Sequence, residues 1–265
     1  MPRKSKNLLS RLRSFRRGAR WARRTFAHAP RIVRIAVSVA VLLAALALLN
    51  IAYQIIRKPT ELFAFVGHSL DKDPAEIWRQ YGPLFHTYST ATITPELLAA
   101  LAQVESSGNP VARTYWRWRW SFNPLTIYKP ASSAVGLFQM TDPAFAEVSR
   151  FCIRANAVTD TSCGSTFLYT RAIPSHAIEL ASVYLDRNVA LVLSLAGDVK
   201  PNPQQKQDLA TIIHLCGAGP ATAYGRRKFQ MMAGERCGDH LVAGYLARVN
   251  AMKRQFARLA AGDGG

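Results

Sequence analysis

The chain has 265 residues, with 34 Lys and Arg against 16 Asp and Glu and a formal net charge of +18. Residues 1–58 hold 14 of the basic groups and no acid, since the first carboxylate is Glu61, so the other 207 residues carry only 20 basic against 16 acidic groups. A near-balanced body excludes a uniformly basic nucleic-acid-binding domain, and 49% hydrophobic with 19% charged residues excludes a mainly disordered chain.

The tail, residues 1–34, sets Leu8, Leu12, Phe15, Ala19, Ala22 and Phe26 at helical spacing with arginines on the other faces. That pattern suits a basic amphipathic helix on anionic membrane lipids, and it equally suits a disordered topology signal. Residues 35–56 then run for 22 positions without a charge. A helix of that length reaches roughly 33 Å, enough for a ~30 Å hydrocarbon core, and predicts a transmembrane anchor. Twelve Lys and Arg precede the span. The positive-inside bias thus puts the amino terminus in the cytoplasm and the rest of the chain across the membrane. A cleaved signal fits less well, because its apolar run is usually ~7–15 residues and a small-residue cleavage site follows it. Residues 57–69 read as a linker and 70–262 as one mainly α-helical domain.

Within that domain, Pro74 opens a helix to about Tyr81. Thr94-Pro95-Glu96 is a strong helix start, with an N-cap hydroxyl, proline at the first position and an early acid. Leu97, Leu98, Leu101 and Val104 supply the apolar face, and Gly108 ends the helix. Tyr115 to Trp120 alternates with period two and is the one strand-like stretch. Asp142-Pro143 begins a helix to about Phe151, Ser175 caps one to about Leu195, and Gln204 to Cys216 forms another. Helices from Pro220 to about Met232 and from Leu241 to about Leu259 complete the domain.

All four cysteines, Cys152, Cys163, Cys216 and Cys237, follow the apolar span. An even number on the exported side points to disulfides, 152–163 with 216–237 being the nearest of three connectivities. No C-x-x-C pair or H-E-x-x-H helix points to a metal, and no phosphate loop, dinucleotide fingerprint or G-x-S-x-G elbow is present. The residue that invites chemistry is Glu105, in the last turn of the Pro95 helix. The carbonyl end of the helix dipole, and burial beside aromatics, would favour its protonated form, which is what a general acid for glycosidic cleavage needs.

Four stretches in order then carry a resemblance. They are Leu101-Ala102-Gln103-Val104-Glu105-Ser106-Ser107-Gly108-Asn109-Pro110, Ser133-Ala134-Val135-Gly136-Leu137-Phe138-Gln139-Met140-Thr141, Gly217-Ala218-Gly219-Pro220, and Tyr245-Leu246-Ala247-Arg248-Val249. Together they resemble the lytic transglycosylases of the soluble-lytic-transglycosylase (SLT) type, which have a goose-type-lysozyme-like helical fold. The resemblance implies a lysozyme-like helical domain that cleaves the β-1,4 bond between N-acetylmuramic acid and N-acetylglucosamine in peptidoglycan. Glu105 would protonate the leaving oxygen and then deprotonate the muramyl C6 hydroxyl, giving a 1,6-anhydro end without water or cofactor. Ser133, Gly136 and Gln139 would line the sugar groove, and Tyr245 would orient Glu105 or the sugar. Cys216 and Gly217 stand where the family has tyrosine and asparagine. Cys216 is expected to pin that turn by a disulfide, and His214 to supply a polar group.

The insert at 111–131 holds Trp116, Trp118 and Trp120, which a strand would project on one side, with Arg117 and Arg119 on the other. Trp116 and Trp118 are candidate sugar contacts, while packing in the core or at the bilayer interface fits the same residues. The expected protein is a single-pass inner-membrane lyase with its catalytic domain in the periplasm. Its expected partners are peptidoglycan strands, anionic lipids at the tail, and secretion or division machinery in the membrane, with nucleic acid disfavoured. Two rival readings are a hydrolytic muramidase using Asp142 or Asp160 as base, and a non-catalytic peptidoglycan-binding scaffold.

Overall fold

The computed structural model describes residues 25–65, 67–161, 163–164 and 169–262. Of the proposed amphipathic tail, residues 1–24 lie outside them, while 25–28 are helical and 31–34 open the long helix that follows. The chain divides into two compact units. One comprises the amino-terminal segment to Arg57 together with Trp118–Lys129, and the other comprises Lys58–Arg117 with Pro130–Gly265.

In the first unit, helix α1 (Arg31–Arg57) is 27 residues long with a mean hydropathy of 2.7 over its most apolar window, long and apolar enough to cross a membrane. Leucines and valines project from it into the surroundings. Its buried side chains are polar: Asn50 Nδ2 donates to the carbonyl of Pro124 at 3.1 Å, and Gln54 Nε2 to that of Leu125 at 2.7 Å. Both acceptors lie on a 3-10 turn, Pro124–Thr126, at the tip of the hairpin formed by β1 (Trp116–Trp118) and β2 (Tyr128–Pro130). The strand-like stretch therefore forms only as far as Trp118. Trp120 lies outside the strand, so the three tryptophans do not share one pleated face.

The second unit is a mostly helical domain. Helix α2 (Pro74–Thr87) starts where expected, capped by Asp73, whose side chain accepts the Glu76 N–H at 2.8 Å. It runs past Tyr81 and through Pro83, however, because Ile77, Trp78, Tyr81 and Phe85 form one buried face. An interior proline costs about 3 kcal/mol, and burying one large apolar side chain recovers about 1.5–3 kcal/mol, so Phe85 largely offsets the break. Helix α3 (Pro95–Ser106) is capped by Thr94 and buries every residue from Leu97 to Ala102. It ends on two consecutive left-handed residues, Ser107 (φ 50) and Gly108 (φ 68). A Cβ on Gly108 would lie 2.5 Å from Ile77 Cγ1, so glycine is required there for space as well as for φ.

Helix α4 (Asp142–Val148) stops short of Phe151 because the chain turns into a hairpin of β3 (Cys152–Arg154) and β4 (Ala157–Thr159), with Cys152 opposite Thr159. Ala155 and Asn156 make that turn at positive φ without a glycine, so the usual hairpin signal is missing from the sequence. Helix α5 (Pro174–Ala196) passes through the core, with Ile178, Leu180, Val183, Leu185, Val189 and Val192 buried. Its N-cap is Ile173, with no side-chain cap, so Ser175 is an interior first-turn residue rather than the cap. Helix α6 (Pro203–Cys216) opens with a capping box between Asn202 and Gln205.

Helix α7 (Ala218–Arg226) begins earlier than expected and ends well before Met232, because Lys228 and Phe229 take positive φ. A third small hairpin, β5 (Arg236–Cys237) and β6 (His240–Leu241), leads into helix α8 (Val242–Gly262). The core joins Phe85 of α2, Leu98 and Leu101 of α3, Phe138, Leu185 of α5, Ile213 of α6 and Phe256 of α8. Disulfides link Cys152 to Cys163 and Cys216 to Cys237.

Candidate active site

Glu105 sits one residue before the end of α3, where the helix leaves the core and its side chain is 19% exposed. Two side chains from the carboxyl half of the sequence meet it. The Tyr245 hydroxyl, in the first turn of α8, donates to Glu105 Oε1. His214 Nε2, in the last turn of α6, lies 3.5 Å from the same oxygen. Among the described residues, both polar contacts fall on Oε1.

Burial is the largest single influence on Glu105 and pushes its carboxyl up, toward the neutral acid. The His214 hydrogen bond and charge, the Tyr245 hydrogen bond and the charge of His240 oppose it and together prevail, holding the group below its ordinary value of 4.5. This corrects the expectation from the helix end alone, which weighed burial and the dipole but not two histidines distant in sequence. Burial, then the charge of Glu105 and the bond to it, push Tyr245 well above its ordinary 10.0, so its hydroxyl remains a donor.

The end of α3 is braced on three sides. Ser106 Oγ donates to the Leu137 carbonyl at 2.9 Å, joining the helix end to the glycine strip. Lys72 N–H donates to the Ser107 carbonyl at 2.7 Å. Buried Asn109 donates to the Gly67 carbonyl and to Asp71, and accepts the Val111 N–H. The strip itself is a tight reversal in which Val135 and Met140 exchange both backbone hydrogen bonds at 3.2 Å.

Gly136, at φ 78, has its absent Cβ directed at the Arg171 carbonyl, 2.2 Å away. Gln139, at φ 44, turns its amide back to the carbonyls of Ala112 and Gly136 at 3.1 and 3.0 Å. Ser133 Oγ accepts the Asp142 N–H at 3.0 Å and so steadies the start of α4.

The Cys216–Cys237 disulfide ties the end of α6, which carries His214, to the hairpin that carries His240. Gly217, at φ 78 and with open space around its missing Cβ, forms the bend between α6 and α7. Trp116 is engaged elsewhere: its indole N–H donates to Glu61 at 2.6 Å, in a cluster with Arg113 and Lys58. Trp118 belongs to the unit of helix α1 and packs on Tyr128 with ring centroids 4.7 Å apart. Asp142 pairs with Arg171 at 2.6 Å and stays largely exposed, and Asp160 is exposed. Among the described residues no cluster of His, Cys, Asp and Glu could hold a metal ion.

His214 and His240 are the site residues whose electrostatic role the sequence left open. Their signal is indirect, since both lie within a few residues of the cysteines that join them. Residues 84–195 match the family model of the transglycosylase SLT domain, a stretch that contains Glu105 and the Gly136 strip and stops before His214 and Tyr245. That stretch is therefore similar to the transglycosylase SLT domain. No curated protein matches the chain.

Proposed function

We propose that this SLT domain is an active lytic transglycosylase in which Glu105 serves in turn as acid and base. The observation that carries the reading is the fixation of Glu105 through one oxygen. Tyr245 and His214 both engage Oε1, which leaves Oε2 as the oxygen to meet substrate. Without glycan the carboxylate is the favoured form. A glycan strand laid over Oε2 removes its remaining water, strengthens the burial that already pushes the group upward, and favours the acid.

Protonated Glu105 then gives its proton to the oxygen linking muramyl C1 to N-acetylglucosamine C4, and the C1–O bond breaks toward an oxocarbenium-like centre. The resulting carboxylate takes the proton of the muramyl C6 hydroxyl as that oxygen bonds to C1. The products are a 1,6-anhydromuramyl end and a free 4-hydroxyl, and Glu105 is again protonated. No water is consumed, so no second carboxylate is needed. The groups acting on Glu105 are Tyr245, His214 and His240, with no acid among them. Ser133, Gly136 and Gln139 shape the groove mainly through backbone, their side chains being used to hold the strip.

Helix α1 is read as an uncleaved anchor that holds the domain on the periplasmic face of the inner membrane, with residues 1–34 in the cytoplasm. The test is full-length protein in detergent with purified peptidoglycan, beside Glu105→Gln. Released fragments are weighed, since anhydro and reducing ends differ by one water. Anhydro ends made by the wild type, with loss of about 10²–10⁴-fold in the variant, are expected. Reducing ends instead would replace the transglycosylase with a hydrolase, and no release at any pH would leave a scaffold.

A further inference from the structure

The hairpin tip at 118–129 is not used by the chemistry above, and its composition is unusual for an exposed loop. Residues 120–128, Trp-Ser-Phe-Asn-Pro-Leu-Thr-Ile-Tyr, carry no charge and are bounded by Arg119 and Lys129. Trp120 and Phe122 are as exposed as side chains can be, at 102% and 110%, and Trp118 is 75% exposed. In water such a cluster is an aggregation liability.

The polar groups of the tip are largely satisfied from within. Asn123 Oδ1 accepts the Leu125 N–H at 2.9 Å, and Ser121 Oγ accepts the Asn123 N–H at 3.1 Å and the Thr126 hydroxyl at 2.7 Å. The Thr126 N–H goes to the Asn123 carbonyl at 3.0 Å, and the Arg119 N–H to that of Ile127 at 2.7 Å. The carbonyls of Pro124 and Leu125 take the amides of Asn50 and Gln54. Non-helical backbone enters an apolar phase only when its polar groups are met in this way.

The two acceptors on α1 also fix the depth. Gln54 and Asn50 lie three and seven residues before Arg57, or roughly 4.5 and 10 Å along the helix. The headgroup layer is roughly 5–8 Å thick on each side, so the tip reaches from that layer to the edge of the hydrocarbon. Trp and Phe favour that level, and Arg119 and Lys129 are placed for lipid phosphates.

We propose that residues 118–129 form an aromatic wedge, pinned to helix α1 by Asn50 and Gln54, that inserts into the outer leaflet of the membrane the helix spans. The inference rests on the reading of α1 as a membrane anchor. It assigns Trp118 and Trp120 to lipid rather than to glycan, and it accounts for polar residues on an otherwise apolar span.

The full-length protein is reconstituted into phosphatidylcholine–phosphatidylglycerol vesicles containing lipids brominated high on the acyl chain. Emission of the wild type minus that of Trp120→Phe isolates Trp120. Blue-shifted emission, quenched about twofold or more by bromolipid, is expected. In an Asn50→Leu, Gln54→Leu background, the same difference signal should lose about half of that quenching. Water-like, unquenched Trp120 in protein that resists alkaline extraction overturns the wedge and keeps the anchor. Protein stripped from the vesicles by alkali overturns the anchor and the wedge with it. A signal that responds to added peptidoglycan and not to bromolipid overturns the wedge in favour of a glycan contact.

Discussion

Gly136 and Gly217 share φ 78, yet their surroundings differ completely. A Cβ on Gly136 would meet the Arg171 carbonyl at 2.2 Å and the Pro110 carbonyl at 3.1 Å, whereas one on Gly217 would meet nothing within 4 Å. Alanine at Gly217 therefore carries only the left-handed conformational cost, about 1–2 kcal/mol. Alanine at Gly136 carries that cost and also forces backbone apart, adding about 1–3 kcal/mol, for a total near 2–5 kcal/mol. For a domain of about 200 residues, 1 kcal/mol moves Tm by roughly 2–4 °C, so Gly136→Ala should lower Tm by roughly 4–20 °C and Gly217→Ala by roughly 2–8 °C.

Intrinsic fluorescence during a thermal ramp in detergent reads both. Because Leu137 accepts from Ser106, displacing the strip also displaces the turn that carries Glu105. A misplacement of about 1 Å costs about 10²-fold in rate, so Gly136→Ala should lose that much activity even where it is folded. Equal Tm shifts for the two variants would refute the reasoning, because only the carbonyl clash separates them.

Removal of His214 by His214→Gln takes away the largest influence opposing burial at Glu105, so the carboxyl rises and the upper limb of the pH–activity profile moves to higher pH. An unmoved limb, measured on anhydro product, would dissociate His214 from the acid. The same lowering makes Glu105 a stabilising carboxylate, present in full above its ordinary 4.5 and lost as pH falls through the folded value. Acid unfolding of His214→Gln, followed by circular dichroism, should show a smaller loss over that range. Opening the Cys216–Cys237 loop, with a sequence separation of 21, should cost about 3 kcal/mol by chain entropy. Denaturant titration of Cys216→Ala, Cys237→Ala should show that loss, together with reduced activity from the loosened histidines.

The parts of the fold legible in the sequence were those written in local chemistry. Thr94-Pro95 with the helical spacing of Leu97, Leu98 and Leu101 announced α3, and Asp142-Pro143 announced α4, because caps and apolar faces are short-range. The continuation of α2 through Pro83 was hidden, since only its packed face outweighs the proline. The β3–β4 turn was hidden because Ala155 and Asn156 take left-handed conformations that tertiary context imposes. At the site, Glu105 drew attention through its place at a helix end, and the resemblance anticipated its contact with Tyr245. The direction of the Glu105 shift was not, because it depends on His214 and His240, more than 100 positions away and brought close by a disulfide. The pairing of Asn50 and Gln54 with carbonyls some 70 residues on leaves no local trace at all.

The chain passes between its two units three times, after Arg57, after Arg117 and after Lys129. A protein held by a stalk alone is shed by one cut in the stalk. Here a cut between Arg57 and Lys58 leaves residues 118–129 joined to the second unit by the chain at both ends and to helix α1 by the amides of Asn50 and Gln54. Shedding then requires the loop itself to let go.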